Sequence, residues 1–444
     1  MTASPLDKEI TTPMLLKFAT PTVLSMIFME VFSIIDGLFV VRFLGTDALS
    51  ALNITFPLIS IMVAISAMFG SGGNALVARQ LGQKREKDAK QNFSLIVWMA
   101  LAAGIVLTVL ILLSLKPLMY FFGSDDQLFP YCYDWAYTYS FFIPLTLFTC
   151  VFPMFYITQG KAFLGMLFSS LGGVTHIALD YVFIVIFNMG IKGAALACGI
   201  GYALVGVIGF VYFAVNRRGN IYFVRPKFRP YVLAKTCMNG VSEMVTNLSI
   251  CIVTILFNNV VIRLAGPDGV AAITVIFYMQ TALLSTCFGY SIGISSLISF
   301  NYGKAEWRRL KQIYTKSVGM LSFISLAAFA FCFFKADLLI RLFLESGTSV
   351  YQMAVEGSRL FAFCFLFMGL NVFASALFTA LSNGRISAIL SFFRTFLFLS
   401  VALLILPVFW KMNGVWLAVP VSEGLSFIMA IYYGYKYKAF YHFI

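Results

Sequence analysis

Charge is what this sequence has least of. Only 11% of its 444 residues are Asp, Glu, Lys or Arg, against about 25% in an average globular chain. So little charge cannot keep a soluble fold of this length in water. Histidine is nearly missing, with 2 residues, and no nucleophile–base constellation can be assembled, so the chain is not read as an enzyme. The 8 cysteines form no Cys-x-x-Cys pair and stand mostly in or beside apolar blocks. Isolated apolar cysteines are ordinary buried residues, which removes structural metal, redox chemistry and any resident cofactor from the reading. A nucleic-acid reading would need a soluble basic face, which so apolar a chain does not offer. Gly70-Ser71-Gly72-Gly73 has no preceding strand and no following Lys-Ser or Lys-Thr, so it marks close helix packing rather than a phosphate loop. Lys17 and Pro21 lead straight into an apolar block with no small-residue cleavage pattern, so no signal peptide is expected.

What is present is hydrocarbon. The chain is 61% hydrophobic, with 48 phenylalanines and a mean hydropathy of +0.91. Its apolar runs reach the roughly 20 residues that cross a bilayer core of about 30 Å. Twelve such blocks can be drawn, from 14–40 to 414–437. The chain also repeats itself at an offset of 221 residues. Arg42-Phe43-Leu44-Gly45 stands opposite Arg263-Leu264-Ala265-Gly266, Gly82 opposite Gly303, Gln91 opposite Gln312 and Gly193 opposite Gly414. The pattern implies an all-α integral membrane protein of twelve transmembrane helices in two pseudo-symmetric six-helix bundles, related by an axis along the membrane normal. The expected boundaries are 1–215 for the N-terminal bundle, 216–235 for a cytoplasmic connection and 236–444 for the C-terminal bundle. Segments 82–91 and 303–312 read as short amphipathic surface helices.

The sides are set by charge. The two termini and the connections on their side carry 22 of the 31 Lys and Arg, and the alternate connections with their helix ends carry eight. Basic residues gather in cytoplasmic loops, so both termini are expected in the cytoplasm. The net charge of +13 is then chiefly a topological signal with affinity for anionic headgroups.

Five acids fall well inside apolar blocks: Glu30, Asp36, Asp180, Glu243 and Glu423. A charge in mid-bilayer is costly, so such residues mark ion or substrate pathways. Asp36 and Asp180 should lie at matching depth in the outer third of the first and fifth spans. Two carboxylates sharing a cavity hold a proton or cation between them. His176 precedes Asp180 by one helical turn and shares its face, where an imidazole can exchange protons near neutral pH. The opposite bundle has Phe257 and Val401 at the repeat positions of the two acids, so ion coupling should be asymmetric. Glu243, Asn247, Asn258 and Gln280 offer polarity to a central cavity. Phe28, Met29, Phe155 and Tyr278 offer apolar and cation–π contact for a flat cationic guest. Glu30 and Glu423 have no clear companion.

Asp36-Gly37-Leu38-Phe39-Val40-Val41-Arg42-Phe43-Leu44-Gly45, Gln80-Leu81-Gly82-Gln83, Leu179-Asp180-Tyr181-Val182-Phe183-Ile184 and Gly190-Ile191-Lys192-Gly193-Ala194-Ala195-Leu196-Ala197 give the chain its resemblance. Over almost its whole length it resembles the multidrug and toxic compound extrusion (MATE) family of antiporters, nearest its branch of DNA-damage-inducible and MepA-like bacterial exporters. The resemblance implies two bundles arranged in a V that export cationic amphiphiles by alternating access, in a prokaryotic plasma membrane, from a monomer. It also implies that Asp36 and Asp180 are the acids of the coupling site. The family pattern often has Asn one turn before the second acid and Thr in the sixth helix, where this chain has His176 and Cys198. Imidazole and thiol are poorer sodium ligands than amide and hydroxyl oxygens, so protons are the expected counter-ion, with sodium at Asp36 and Asp180 the lesser reading. A lipid or lipid-linked precursor flippase is the main alternative. It would want a basic cavity for a pyrophosphate, which these spans do not offer.

Overall fold

A computed structural model describes residues 5–7, 9–341 and 343–441. Long apolar windows became long helices, as backbone groups in hydrocarbon must satisfy their hydrogen bonds within the segment. The spans are α1 (Thr12–Leu44), α2 (Asp47–Gly82), α3 (Glu86–Leu113), α4, α5 (Ala162–Ile186), α6 (Gly190–Val215), α7 (Pro230–Gly266), α8 (Asp268–Gly303), α9 (Trp307–Phe334) and α10 (Ser349–Ala380). The last helical stretch, Gly384–Tyr441, breaks at Lys411 into α11 (384–410) and α12 (412–441). The fourth span, α4, is a bent pair, Phe129–Ser140 and Ile143–Thr158, turning through 62°. Side-chain caps mark three helix starts: Thr11 accepts from Met14 N, Thr348 from Tyr351 N and Asn383 from Ile386 N. The expected surface helices at 82–91 and 303–312 do not exist as separate elements. The chain turns at Lys84 and Ala305 and runs directly into α3 and α9. Between α6 and α7 the helix resumes at Pro230.

The duplication is visible in the backbone. Gly45 (φ 88°) and Gly266 (φ 62°) join the first two helices of each half, and both hold positive φ. Gly190 (φ 62°) has its repeat partner in Lys411 (φ 47°), and Lys84 (φ 60°) in Ala305 (φ 57°). The fold therefore demands a left-handed residue at these corners even where glycine, which adopts it without penalty, is not supplied.

Helices α1–α6 make one lobe and α7–α12 the other. Their mutual contacts lie toward the face that carries both chain ends. A Cβ on Gly82 would run into the Phe300 carbonyl, and one on its repeat partner Gly303 would run into the Arg79 carbonyl. Gly240 likewise admits the Met68 carbonyl, and Gly293 admits Ala19. Deeper in the same seam, Asn74 donates to Ser295 (2.9 Å) and accepts from Ser296 (2.7 Å) and Thr158. Toward the distal face, Ile34 and Leu38 of α1 and Ile252 and Ile255 of α7 are more than half exposed. The lobes are joined by close backbone contacts at the terminus-bearing face.

Candidate functional site

Helices α1 and α5 bring together the three titratable residues that the sequence singled out. His176 Nε2 stands 3.5 Å from Asp36 Oδ1 and 3.4 Å from Asp180 Oδ2, and one ligand atom from each residue falls within 4.8 Å of the others. Asp180 and His176 are buried, whereas the Asp36 side chain keeps 25% exposure. The cluster is therefore deep on the α5 side and open toward Asp36.

Local sequence makes this approach feasible. His176 and Asp180 are i and i+4 on α5 and so share a face. One turn earlier, Gly173 receives the Phe32 ring, which a Cβ would overlap. That contact seats α1 against α5 and carries Asp36, one turn beyond Phe32, to the imidazole. Immediately after Asp180 the helix widens into a π-helical stretch, Tyr181–Ile186. Such bulges recur at functional sites because they redirect side chains within a helix.

Both Asp180 oxygens and His176 Nε2 are buried without a hydrogen-bond partner. A buried polar group left unpaired costs roughly 1–3 kcal/mol, and among the described residues the ion-pair partner of both carboxylates is His176. Two acids and one imidazole at these distances can hold a proton, or a small cation, among their facing lone pairs. The Tyr202 ring covers the imidazole at 5.9 Å between centroids. Cys198 is buried in the apolar cluster that includes Val40 and Ile184 and stands outside the three-residue group.

The other lobe solved its buried charge differently. Arg394 of α11 meets Glu423 of α12 at 3.5 Å, both buried. Asn371 of α10 donates to Glu423 Oε2 (2.6 Å) and to its carbonyl (2.9 Å). Glu423 therefore has a companion that the sequence reading did not find. Arg394 also sits in a π-helical stretch, Phe393–Leu397. The repeat supplies the missing signal: 394 corresponds to Gly173 and 423 to Tyr202, the same junction of fifth and sixth helices that cradles His176. Phe257, the repeat partner of Asp36, is buried edge-to-face on Phe277 (5.1 Å).

The expected cavity residues divide. Phe155 is wholly buried against Phe93 (4.8 Å) in the N-terminal lobe's own core. Its expected cavity role is corrected, because α4 turns that face inward toward α3. Glu243 is half-buried and lines a narrow crevice in the lobe seam with Ser71, Met154, Ser295 and Thr379. Asn247 donates back to the Glu243 carbonyl (2.8 Å) within its helix. Phe28 and Asn258 are exposed, and Met29 and Gln280 are half-buried. Tyr278 is exposed beside the Phe343 ring (5.8 Å).

Twelve spans in two pseudo-symmetric lobes, with a buried acid left unpaired in one of them, define a secondary transporter. The MatE family profile matches residues 21–182 and again 244–404, once per repeat, and the chain belongs to that family, the MATE transporters. It is 20% identical over 406 residues to the multidrug export protein MepA of Staphylococcus saprophyticus, covering 90% of this chain and 87% of that one. To the multidrug export protein MepA of Staphylococcus aureus it is 19% identical over 420 residues, covering 94% and 92%. Among solved structures, a MATE transporter in complex with MaL6 superimposes with a TM-score of 0.92 over 99% of both chains at 21% identity. An outward-facing multidrug resistance MATE transporter superimposes at 0.89, also at 21% identity, over 98% of this chain and 96% of that one. The protein is thus a multi-pass membrane transporter moving small molecules, without catalytic chemistry.

Proposed function

We propose that this transporter exports cationic amphiphiles in exchange for protons, with Asp36, His176 and Asp180 as the coupling group and sodium the lesser alternative. The observation that carries the reading is the close approach of the buried imidazole to both carboxylates, complete within one chain, so that a monomer suffices. The basic excess at the terminus-bearing face supports placing that face in the cytoplasm of a prokaryotic cell. The lobes are then residues 1–215 and 236–444, tethered by 216–235, and the distal face points outside.

The cycle follows from charge. With its acids ionised, the N-terminal lobe is negative and attracts a cation into the space between the lobes. Exposed Phe28, half-buried Met29 and Gln280, and Asn258 and Tyr278 line the approach, with Cys198 flanking the coupling group. When the distal mouth is open, a proton reaches Asp36, the exposed member, and passes through His176 to Asp180. Neutralising the group removes the attraction, and the cation leaves. Glu243 and Asn247 are at the seam, where they become accessible only when the cytoplasmic side opens, so they meet the guest first on loading. The two ligand types need differential affinity for the two arrangements, which the shared negative charge supplies.

A flippase for pyrophosphate-linked lipids gains no support here, since Arg394 is already engaged by Glu423. The test is flux of a cationic dye from liposomes holding the purified protein, with proton and sodium gradients imposed separately. Dye movement driven by the proton gradient without sodium is the expected result. Strict dependence on sodium, or no dye movement under either gradient, would reject the assignment.

A further inference from the structure

A cavity of about 610 Å³ opens on the terminus-bearing face, away from the buried acids. Its walls come from both lobes: Arg79 and Arg85 from the end of α2 and the turn into α3, and Arg229 and Lys235 from the connection and the start of α7. Among the described residues, two of these four cationic side chains have an acidic partner, and it is the same one, Asp88. It takes Arg85 at 2.7 Å and Arg229 at 3.0 Å and is not itself a wall of the cavity. Arg79 and Lys235 have no carboxylate partner among the described residues. Each instead lies over an aromatic ring, Arg79 on Tyr302 (4.8 Å) and Lys235 on Tyr231 (5.6 Å). The concavity therefore carries an excess of positive charge that the protein does not neutralise. Guanidinium groups on facing walls are the usual geometry for a phosphate, which they grip through paired N–H donors.

The rim narrows the choice of ligand. Phe228 and Tyr231 border the cavity and are 71% and 72% exposed. Aromatic side chains at that level of a membrane protein sit among headgroups and the first acyl carbons. A basic hollow beneath such a rim fits an anionic headgroup whose chains remain in the bilayer.

We infer that the cavity formed by Arg79, Arg85, Arg229 and Lys235 binds a phosphate-bearing anion, with the headgroup of an anionic phospholipid as its membrane-borne form. The site is made only when the lobes meet on this face, because Arg79 and Arg85 belong to one lobe and Lys235 stands on α7, the helix that leads into the other. Its occupant therefore favours the arrangement seen here, in which the Gly82 and Gly303 contacts are closed. This adds a lipid or phosphate site to the transporter that is separate from drug and proton.

The test uses the full-length protein in nanodiscs. Retention of phosphatidylglycerol is measured by native mass spectrometry against a phosphatidylcholine background, with inorganic phosphate titrated in a second arm. Arg79→Gln with Lys235→Gln leaves the Asp88 pairs untouched. Each neutralised charge should cost what a basic residue near a charged surface contributes, so affinity should fall about thirtyfold for the pair. Arg79→Lys with Lys235→Arg should retain phosphatidylglycerol, which separates loss of charge from loss of fold. Arg385→Gln, an exposed base on the same face outside the cavity, should bind as the unaltered protein does. Binding of inorganic phosphate that the double Gln variant loses, without phosphatidylglycerol retention, would assign the site to soluble phosphate. Equal retention by the double Gln variant and the unaltered protein, or no binding of either anion, would overturn the inference.

Discussion

The two lobes share a backbone and disagree about charge. At the junction of fifth and sixth helices, the N-terminal lobe has Gly173, His176 and Tyr202, while the C-terminal lobe has Arg394 and Glu423 at the repeat positions of Gly173 and Tyr202. One lobe keeps two carboxylates near an imidazole, with Asp180 and the ring nitrogen unpaired. The other closes its acid with a guanidinium and an amide. The ion pair engages its acid, whereas the acid cluster leaves both Asp180 oxygens without a hydrogen-bond partner. Duplication supplied the scaffold twice, and under the proposed reading the coupling group belongs to one copy.

A second pair of regions shows the same logic at the terminus-bearing face. Ahead of α1, Asp7 reaches across to Lys304 (2.8 Å) and Arg309 (2.5 Å) of the opposite lobe. Ahead of α7, Arg229 reaches across to Asp88 (3.0 Å), and Asp88 is the repeat partner of Arg309. Each lobe is latched by the segment leading into the other, with the signs reversed.

The largest expected effect comes from the lobe with the unpaired acid. Asp36→Asn or Asp180→Asn should reduce proton-driven dye export to that of protein-free liposomes, with insertion and yield unchanged. Export at the normal rate by either variant would erase the distinction between the lobes. In the other lobe the cost should fall on stability. Arg394→Met or Glu423→Gln alone leaves one buried partner uncompensated, worth about 3–5 kcal/mol, seen as a lowered unfolding midpoint in detergent. Arg394→Met with Glu423→Leu should recover most of that loss, and proton coupling should survive. If coupling disappears with the pair removed, both lobes titrate.

His176→Asn sharpens the comparison within the coupling lobe. An amide oxygen in place of the ring favours a hard cation, so proton-driven export should fall about a hundredfold, as expected when a positioned proton carrier is lost. Stimulation by sodium should rise in the same variant. The smallest effect concerns the latches. Hydrogen bonding to Lys304, and then to Arg309, holds the Asp7 carboxyl below its usual range despite partial burial. A lowered folded value means the latch contributes fully above the ordinary carboxylate pKa and is lost as pH falls through the depressed one. Asp7→Asn should therefore cost up to about 1 kcal/mol at pH 7 and nothing in strong acid, read from unfolding midpoints across pH.

Much of this was legible before any coordinates. Block length exposed the spans, the 221-residue offset exposed the lobes, and unpaired acids in hydrocarbon exposed Asp36 and Asp180. His176 was reachable because i,i+4 spacing on one helix is independent of how helices pack. The Arg394–Glu423 pair joins two different helices, so spacing along one helix could not reveal it; only the repeat, which sets 394 and 423 opposite Gly173 and Tyr202, pointed to that junction. Phe155 was misplaced for a related reason: hydropathy cannot tell lipid, cavity and core apart, and the 62° bend of the fourth span decides its direction. The absent surface helices show that a single left-handed residue, Lys84 or Ala305, can turn a chain that composition alone spreads over several residues.

The most direct measurement is the number of protons exchanged when a cationic dye binds the detergent-solubilised protein, taken by calorimetry in buffers of differing ionisation heat. Proton release is expected for the unaltered chain and none for Asp36→Asn with Asp180→Asn. Dye binding that releases no proton from the unaltered protein, or the same number from the double variant, would contradict the account.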